Sequence, residues 1–250
     1  MRRLGGLLML AAALSCARAE TAPAGATPAP RPGQSVPATV LTVRESSHPP
    51  TRAFLHKVVV AGSKVRLGDE KDQWRLFDLD QRTVTWVDDV AKTYRTLSFD
   101  ELLRARDRVL RQTIPAPRVG QVAVRDTGEI ADIGGIRARR IAMELGGYRR
   151  DVWVSETPLV PPRFLQMMIA SEPISEPWAG VMRDAQRALM AQNGFPVWDR
   201  SRLAWEKGEL LFQRKLVKVE SKNVPSEWVS IPAGYLDTDA PPAPPTGKSR

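Results

Sequence analysis

One cysteine and two histidines in 250 residues leave little material for the commonest catalytic chemistries. Cys16 falls at the end of an apolar N-terminal run, so the rest of the chain has no thiol for a disulfide or a Cys/His zinc site. The folded part is therefore held by its core alone. His48 stands beside Pro49 and Pro50, and His56 lies in a strand-like run. A Ser/His/Asp triad would have to use one of them, and no nucleophile-elbow pattern is present. A hydrolase would need His56 within hydrogen-bond reach of a serine and a carboxylate; an ordinary strand residue is the simpler reading. Asp78, Asp80, Asp88 and Asp89 lack the spacing and glycine of an EF-hand loop, so they read as turn formers and no metal site is expected. No cofactor motif is present either.

Long apolar runs are also missing, with one exception at the N-terminus. Arg2 and Arg3 precede an apolar stretch at 4–14, too short for the ~20 residues of a membrane span. Residues 1–19 have the layout of a secretory signal peptide. Two cleavage readings stay open: Ala17-Arg18-Ala19 before Glu20 is an A-x-A site, and Ala13-Leu14-Ser15-Cys16 resembles a lipobox that would make Cys16 a lipidation site. Either places the protein in the periplasm or cell envelope, the second as an outer-membrane lipoprotein. The chain carries 37 basic and 28 acidic residues; loss of residues 1–19 removes Arg2, Arg3 and Arg18 and leaves a surplus of six. That excess suits solubility or peripheral contact with an anionic membrane. Nucleic acid is excluded as a partner, because the charge comes with an export signal and no binding motif.

Residues 20–37 and 238–250 are rich in Ala, Pro and Thr and poor in large apolar residues, which predicts a disordered linker and tail around one folded domain at 38–237. Within it, a first strand at 40–45 precedes FLHKVVV, KVRL, WRLFDL, TVTWV and KTYRTL, separated by Gly62-Ser63, Gly68-Asp69, Asp80-Gln81 and Asp88-Asp89. Such spacing predicts an antiparallel meander. A helix follows at 100–112, with Leu102, Leu103, Val109 and Leu110 on one face and Ser98 with Glu101 as a capping box. Strands are expected at 120–125, 137–145 and 148–155, the last two joined by Gly146-Gly147. Two further helices, one opened by Pro161-Pro162 and one at 176–192, precede a hairpin of 196–206 and 209–221.

Methionine and aromatic residues concentrate on the late helices. Phe164, Met168, Trp178 and Met182, with Trp86 from the meander, are the candidate lining of an apolar ligand cavity between helices and sheet; ordinary core packing is the alternative. Arg137, Arg139, Arg140, Arg149 and Arg150 cluster on one hairpin, as a solvated sheet face or a contact for lipid phosphate or an acidic partner.

The segments VVVAGSKVRLGDE, LFDLDQRTVTWVDDVAKTYRTLS, IADIGGIRARRIAMEL, YRRDVWVSE and VPSEWVSIPAGYLD, in this order, resemble a family of bacterial envelope proteins related to the periplasmic lipoprotein carriers (LolA/LolB-like). The resemblance implies an α+β fold: a strongly curved antiparallel sheet, a half-barrel, with helices covering its concave face. It also implies a non-enzymatic protein whose apolar cavity holds a lipid or lipoprotein acyl chain. Many relatives have cysteine after the Ile-x-Gly turn; Arg137 and Ala138 stand there in this chain, so no redox role is implied. The rival expectation is a structural or sensory module with a filled core that binds an envelope protein.

Overall fold

The computed structural model describes residues 33–48, 52–68, 72–112, 122–171, 185, 187–192, 194–205 and 208–239, with backbone only at 52, 109–112 and 205. Cys16, Trp178 and Met182 lie outside them, as do the signal peptide and nearly all of the two segments expected as linker and tail. The meander forms in sequence order as β1 (Ser35–His48), β2 (Arg52–Ala61), β3 (Lys64–Gly68), β4 (Gln73–Asp78), β5 (Thr83–Asp88) and β6 (Thr93–Ser98). Helix α1 (Phe99–Gln112) is followed by β7 (Ala123–Ile133), β8 (Ile136–Leu145), β9 (Tyr148–Ser155) and helix α2 (Pro162–Ser171). The hairpin β10 (Pro196–Trp205) and β11 (Gly208–Pro225), a 3-10 turn (Ser226–Val229) and β12 (Leu236–Asp237) complete the chain order.

These strands make one large, curved, mixed sheet in the order β12-β6-β5-β4-β3-β2-β1-β11-β10-β9-β8-β7, and the class is α+β. Each neighbouring pair is antiparallel except β12 and β6, which run parallel. The join between its halves is β1 on β11, running from Ser35 opposite Pro225 to His48 opposite Leu211 with a register shift at Thr42/Val43. Strand β1 starts at Ser35, inside the stretch expected to be linker. Backbone pairing with β11 outweighs its apolar-poor composition.

The aspartates close the turns. Asp78 Oδ1 accepts from the backbone N–H of Asp80 and Gln81 at 3.2 and 3.0 Å, and Asp88 Oδ1 from Val90 and Ala91 at 3.0 and 2.7 Å. Arg82 and Lys92 then take the left-handed conformation, at φ 55° and 56°. At α1 the capping box forms: Ser98 N–H donates to Glu101 Oε2 at 2.8 Å, and Glu101 N–H donates to Ser98 Oγ at 3.2 Å. Leu102 is buried but Leu103 is exposed, so only part of the expected apolar face packs inward.

Period-two alternation explains the core. Leu41, Val43, Val58, Leu67, Phe77 and Val84 point to one face, where Phe164, Met167 and Ile169 of α2 cover them. Val40, Val59, Trp74, Leu76 and Val87 point to the other, where Val229, Trp228, Ile231 and Tyr235 form an apolar strap. The run FLHKVVV feeds both faces. Three arginines fix α2 to its surroundings: Arg163 donates to Leu79 O, while Arg106 and Arg75 donate to Ile169 O and Ser171 O at the helix C-terminus, where cations are favoured.

Turn closure carries a pH dependence. Hydrogen bonds from the Ala91 backbone and the Gln73 side chain hold the Asp88 carboxyl below its ordinary value in the folded state. The stabilisation it gives is therefore present above the unfolded value of ~3.9 and is lost as pH falls through the lower folded value. Asp88→Ala should melt below the parent at pH 7, and the gap should narrow as pH falls below ~3.9. A gap that keeps its size over that fall would contradict this.

Candidate functional site

Between the sheet face of β1–β6 and the end of α2 lies a groove of about 990 Å³. The register builds its floor: Leu41, Val58, Leu67, Arg75, Trp86 and Arg95 are successive cross-strand partners over β1 to β6, one row on one face. All but Leu41 of this row line the groove, with Val43, Met168 and Phe195 adding apolar wall.

The polar groups stand among these. Arg75 Nη1 donates to Ser171 Oγ at 2.7 Å, joining the groove to the last residue of α2. Arg95 pairs with Asp239 at 2.9 Å. Glu45 and Arg214, cross-strand partners, form an ion pair at 3.0 Å with both side chains largely buried, and Phe54 and His56 border the groove on the strand beside Glu45. Such a surface suits a ligand with an apolar body and a polar end. Among the described residues no group of three or more His, Cys, Asp or Glu is placed to hold a metal ion.

Of the five residues expected to line a cavity, Trp86 and Met168 border this groove. Phe164 is fully buried and meets Phe77 edge to face at 5.0 Å, away from the groove lining. The sequence pattern alone could not separate these positions, because a helix buried among strands presents its residues to core and cavity alike. Sequence reasoning missed Arg75, Glu45 and Arg214, since it ranked apolar residues only.

The arginine cluster is matched by acids. Arg137 pairs with Glu156, Arg139 with Asp126, Arg140 with Glu129 and Asp151, Arg149 with Glu144, and Arg150 with Asp199. It offers little net charge to a partner.

A smaller cavity, about 320 Å³, lies under the strap, bordered by Trp74, Trp228 and Tyr235. Lys57 sits over the Trp228 ring and Arg66 over Trp74, at 5.4 and 4.0 Å. Asp89 accepts from Trp74 Nε1 at 3.1 Å and from the Tyr235 hydroxyl at 2.8 Å. Lys92 donates to that hydroxyl at 3.0 Å, which holds the lysine above its ordinary pKa. The closing Ile-Pro-Ala-Gly-Tyr segment thus fastens the strap to the meander.

The chain matches no protein-family model and no curated protein. Solved structures similar to it include PNGF-II in its C2 crystal form (TM-score 0.43, 10% identity, covering 82% of this chain) and in its P21 form (0.40, 9%, 81%). The chain spans 31% of the length of PNGF-II. A LolA superfamily protein from Nitrosomonas europaea is also similar, at TM-score 0.27 and 11% identity, covering 81% of this chain and 92% of that one. These low scores leave the reading of the groove to its own residues.

Proposed function

We propose that the chain is an exported cell-envelope protein with a LolA/LolB-like half-barrel that holds a lipid acyl chain or another hydrophobic ligand in the groove, without catalysing a reaction. The observation that supports this reading is the groove itself. Its volume lies at the upper end of the ~300–1,000 Å³ typical of small-molecule sites. An acyl chain laid along Val58, Leu67, Trp86 and Met168 gains ~0.8 kcal/mol for each methylene removed from water. The polar lining carries both signs, with Arg75 and Arg95 flanking Trp86 and Glu45, Asp72 and Asp88 nearby, so a ligand with a polar end joined to an apolar body is favoured over a wholly apolar one.

A second reading, a module that binds an envelope protein, draws on the charged lining: Glu45, Asp72, Asp88, Arg75, Arg95 and Arg214 suit a polar partner segment as well.

Trp86→Glu tests the groove. The new carboxylate lies between Arg75 and Arg95 on the adjacent strands, and an unchanged circular dichroism spectrum separates lost binding from lost folding. Loss of the indole removes an apolar contact of ~1.5–3 kcal/mol, so affinity for a fluorescent fatty acid should fall at least about tenfold. Unchanged uptake would contradict the groove assignment.

A further inference from the structure

The sheet face opposite α2 carries a patch of three cations, Arg44, Arg200 and Lys215, that form no ion pair with any described residue, although Asp151, already paired with Arg140, is the cross-strand neighbour of Arg200. Alternation puts Arg44 there, because its neighbours Val43 and Glu45 line the groove on the other side; Lys215 follows by the same argument from Arg214 and Leu216. The two are direct cross-strand partners and both are exposed, an arrangement of like charges that destabilises a sheet. Lys215 and Arg200 both lie over the ring of Trp198, at 5.1 and 5.5 Å. Among the described residues, no ion pair reaches Arg44, Arg200 or Lys215. Their situation is the reverse of the arginine cluster on β8 and β9, where every guanidinium has a carboxylate.

Two large aliphatic side chains border the cations. Leu55 is the cross-strand partner of Arg44 on its other side and is 52% exposed; Leu211, two positions further along the same face as Gln213 and Lys215, is 39% exposed. A soluble polyanion would need the charges and leave the leucines in water. A bilayer surface uses both, phosphate against the cations and the acyl boundary against the leucines.

We propose that this face, formed by β2, β1, β11 and β10, docks onto the surface of a bilayer rich in anionic lipid, with Arg44, Lys215 and Arg200 taking headgroup phosphate and Leu55 and Leu211 entering the interface. The repulsion between Arg44 and Lys215 is then relieved by the headgroups. The groove opens on the opposite face of the same strands, so docking does not block it.

The test is vesicle co-sedimentation of the full chain carrying Cys16→Ser, which excludes any acyl anchor. Vesicles of phosphatidylglycerol and phosphatidylcholine in equal parts should bind the protein, pure phosphatidylcholine should not, and added salt should weaken binding. Arg44→Gln with Lys215→Gln removes two surface charges and should lower binding roughly 25-fold. It also removes a repulsion, so it should melt no lower than the parent, which separates lost docking from lost folding. Leu55→Ser with Leu211→Ser should weaken binding at unchanged charge. Binding unaffected by the double Gln variant would overturn the proposal. So would competition by inorganic polyphosphate combined with parent-like binding of the double Ser variant, which would assign the patch to a soluble polyanion.

Discussion

Phe164→Ala is expected to lower the free energy of unfolding by about 3–5 kcal/mol, the usual cost of truncating a fully buried aromatic ring. Phe164 has no exposed surface and packs edge to face on Phe77, itself fully buried in β4. Removing the ring leaves a void between α2 and the meander and ends an aromatic contact worth ~0.5–1.5 kcal/mol beyond its area. Urea unfolding of the two proteins measures the difference, with the slope of the transition unchanged. The same variant separates core from groove: where it still folds, it should bind a fatty-acid probe nearly as the parent does, unlike Trp86→Glu. A loss below about 1 kcal/mol would mean that the site collapses around the deletion and that α2 is not fastened as described.

Asp199→Ala should cost a comparable amount, about 3–5 kcal/mol. Arg150 holds Asp199 in a two-pronged contact between β9 and β10, with Nε to Oδ1 at 2.9 Å and Nη2 to Oδ2 at 2.5 Å. The Asp199 side chain is 3% exposed and that of Arg150 12%, so removing the carboxylate takes the two-pronged counter-charge from a guanidinium that is largely shielded from water. Burial also pushes the nearby Tyr148 hydroxyl above its ordinary pKa, in keeping with a poorly hydrated pocket. Replacing both partners by apolar residues, as in Arg150→Met with Asp199→Leu, should recover most of the loss. A double variant as unstable as Asp199→Ala would show that the pair does more than satisfy itself.

Local order was legible from the sequence, and long-range pairing was not. Glycines and aspartates punctuate β2 to β6 and the β8–β9 hairpin, and Ser98 with Glu101 marks the start of α1, because each of these signals acts within a few residues. The union of β1 with β11 joins Ser35 to Pro225 and depends on a register shift at Thr42/Val43 that no local pattern encodes. The juxtaposition of Arg44 with Lys215 follows from that register, so it was invisible as well. The arginine cluster on β8 and β9 looked like free charge because its acids, among them Asp126, Asp151 and Asp199, arrive from neighbouring strands. Parallel pairing of β12 was missed because two residues at the end of a turn carry no strand signal.

The groove was half legible. Trp86 and Met168 follow from the habit of adaptable apolar side chains at helix–sheet boundaries, whereas Phe164 obeys the same habit and lies in the core. Arg75 was hidden for a different reason: an arginine inside an alternating strand reads as the solvent side. The face it occupies is instead shared between apolar floor and the end of α2, and Ser171 gives the guanidinium its partner.

Native mass spectrometry of the protein purified from its own cell envelope, with organic extraction and lipid analysis of anything bound, tests the central claim most directly. The account predicts a stoichiometric lipid or other amphiphile that leaves on extraction and whose retention is lost in Trp86→Glu. A clean ligand-free mass under conditions that preserve the fold would contradict it and transfer the groove to a protein partner.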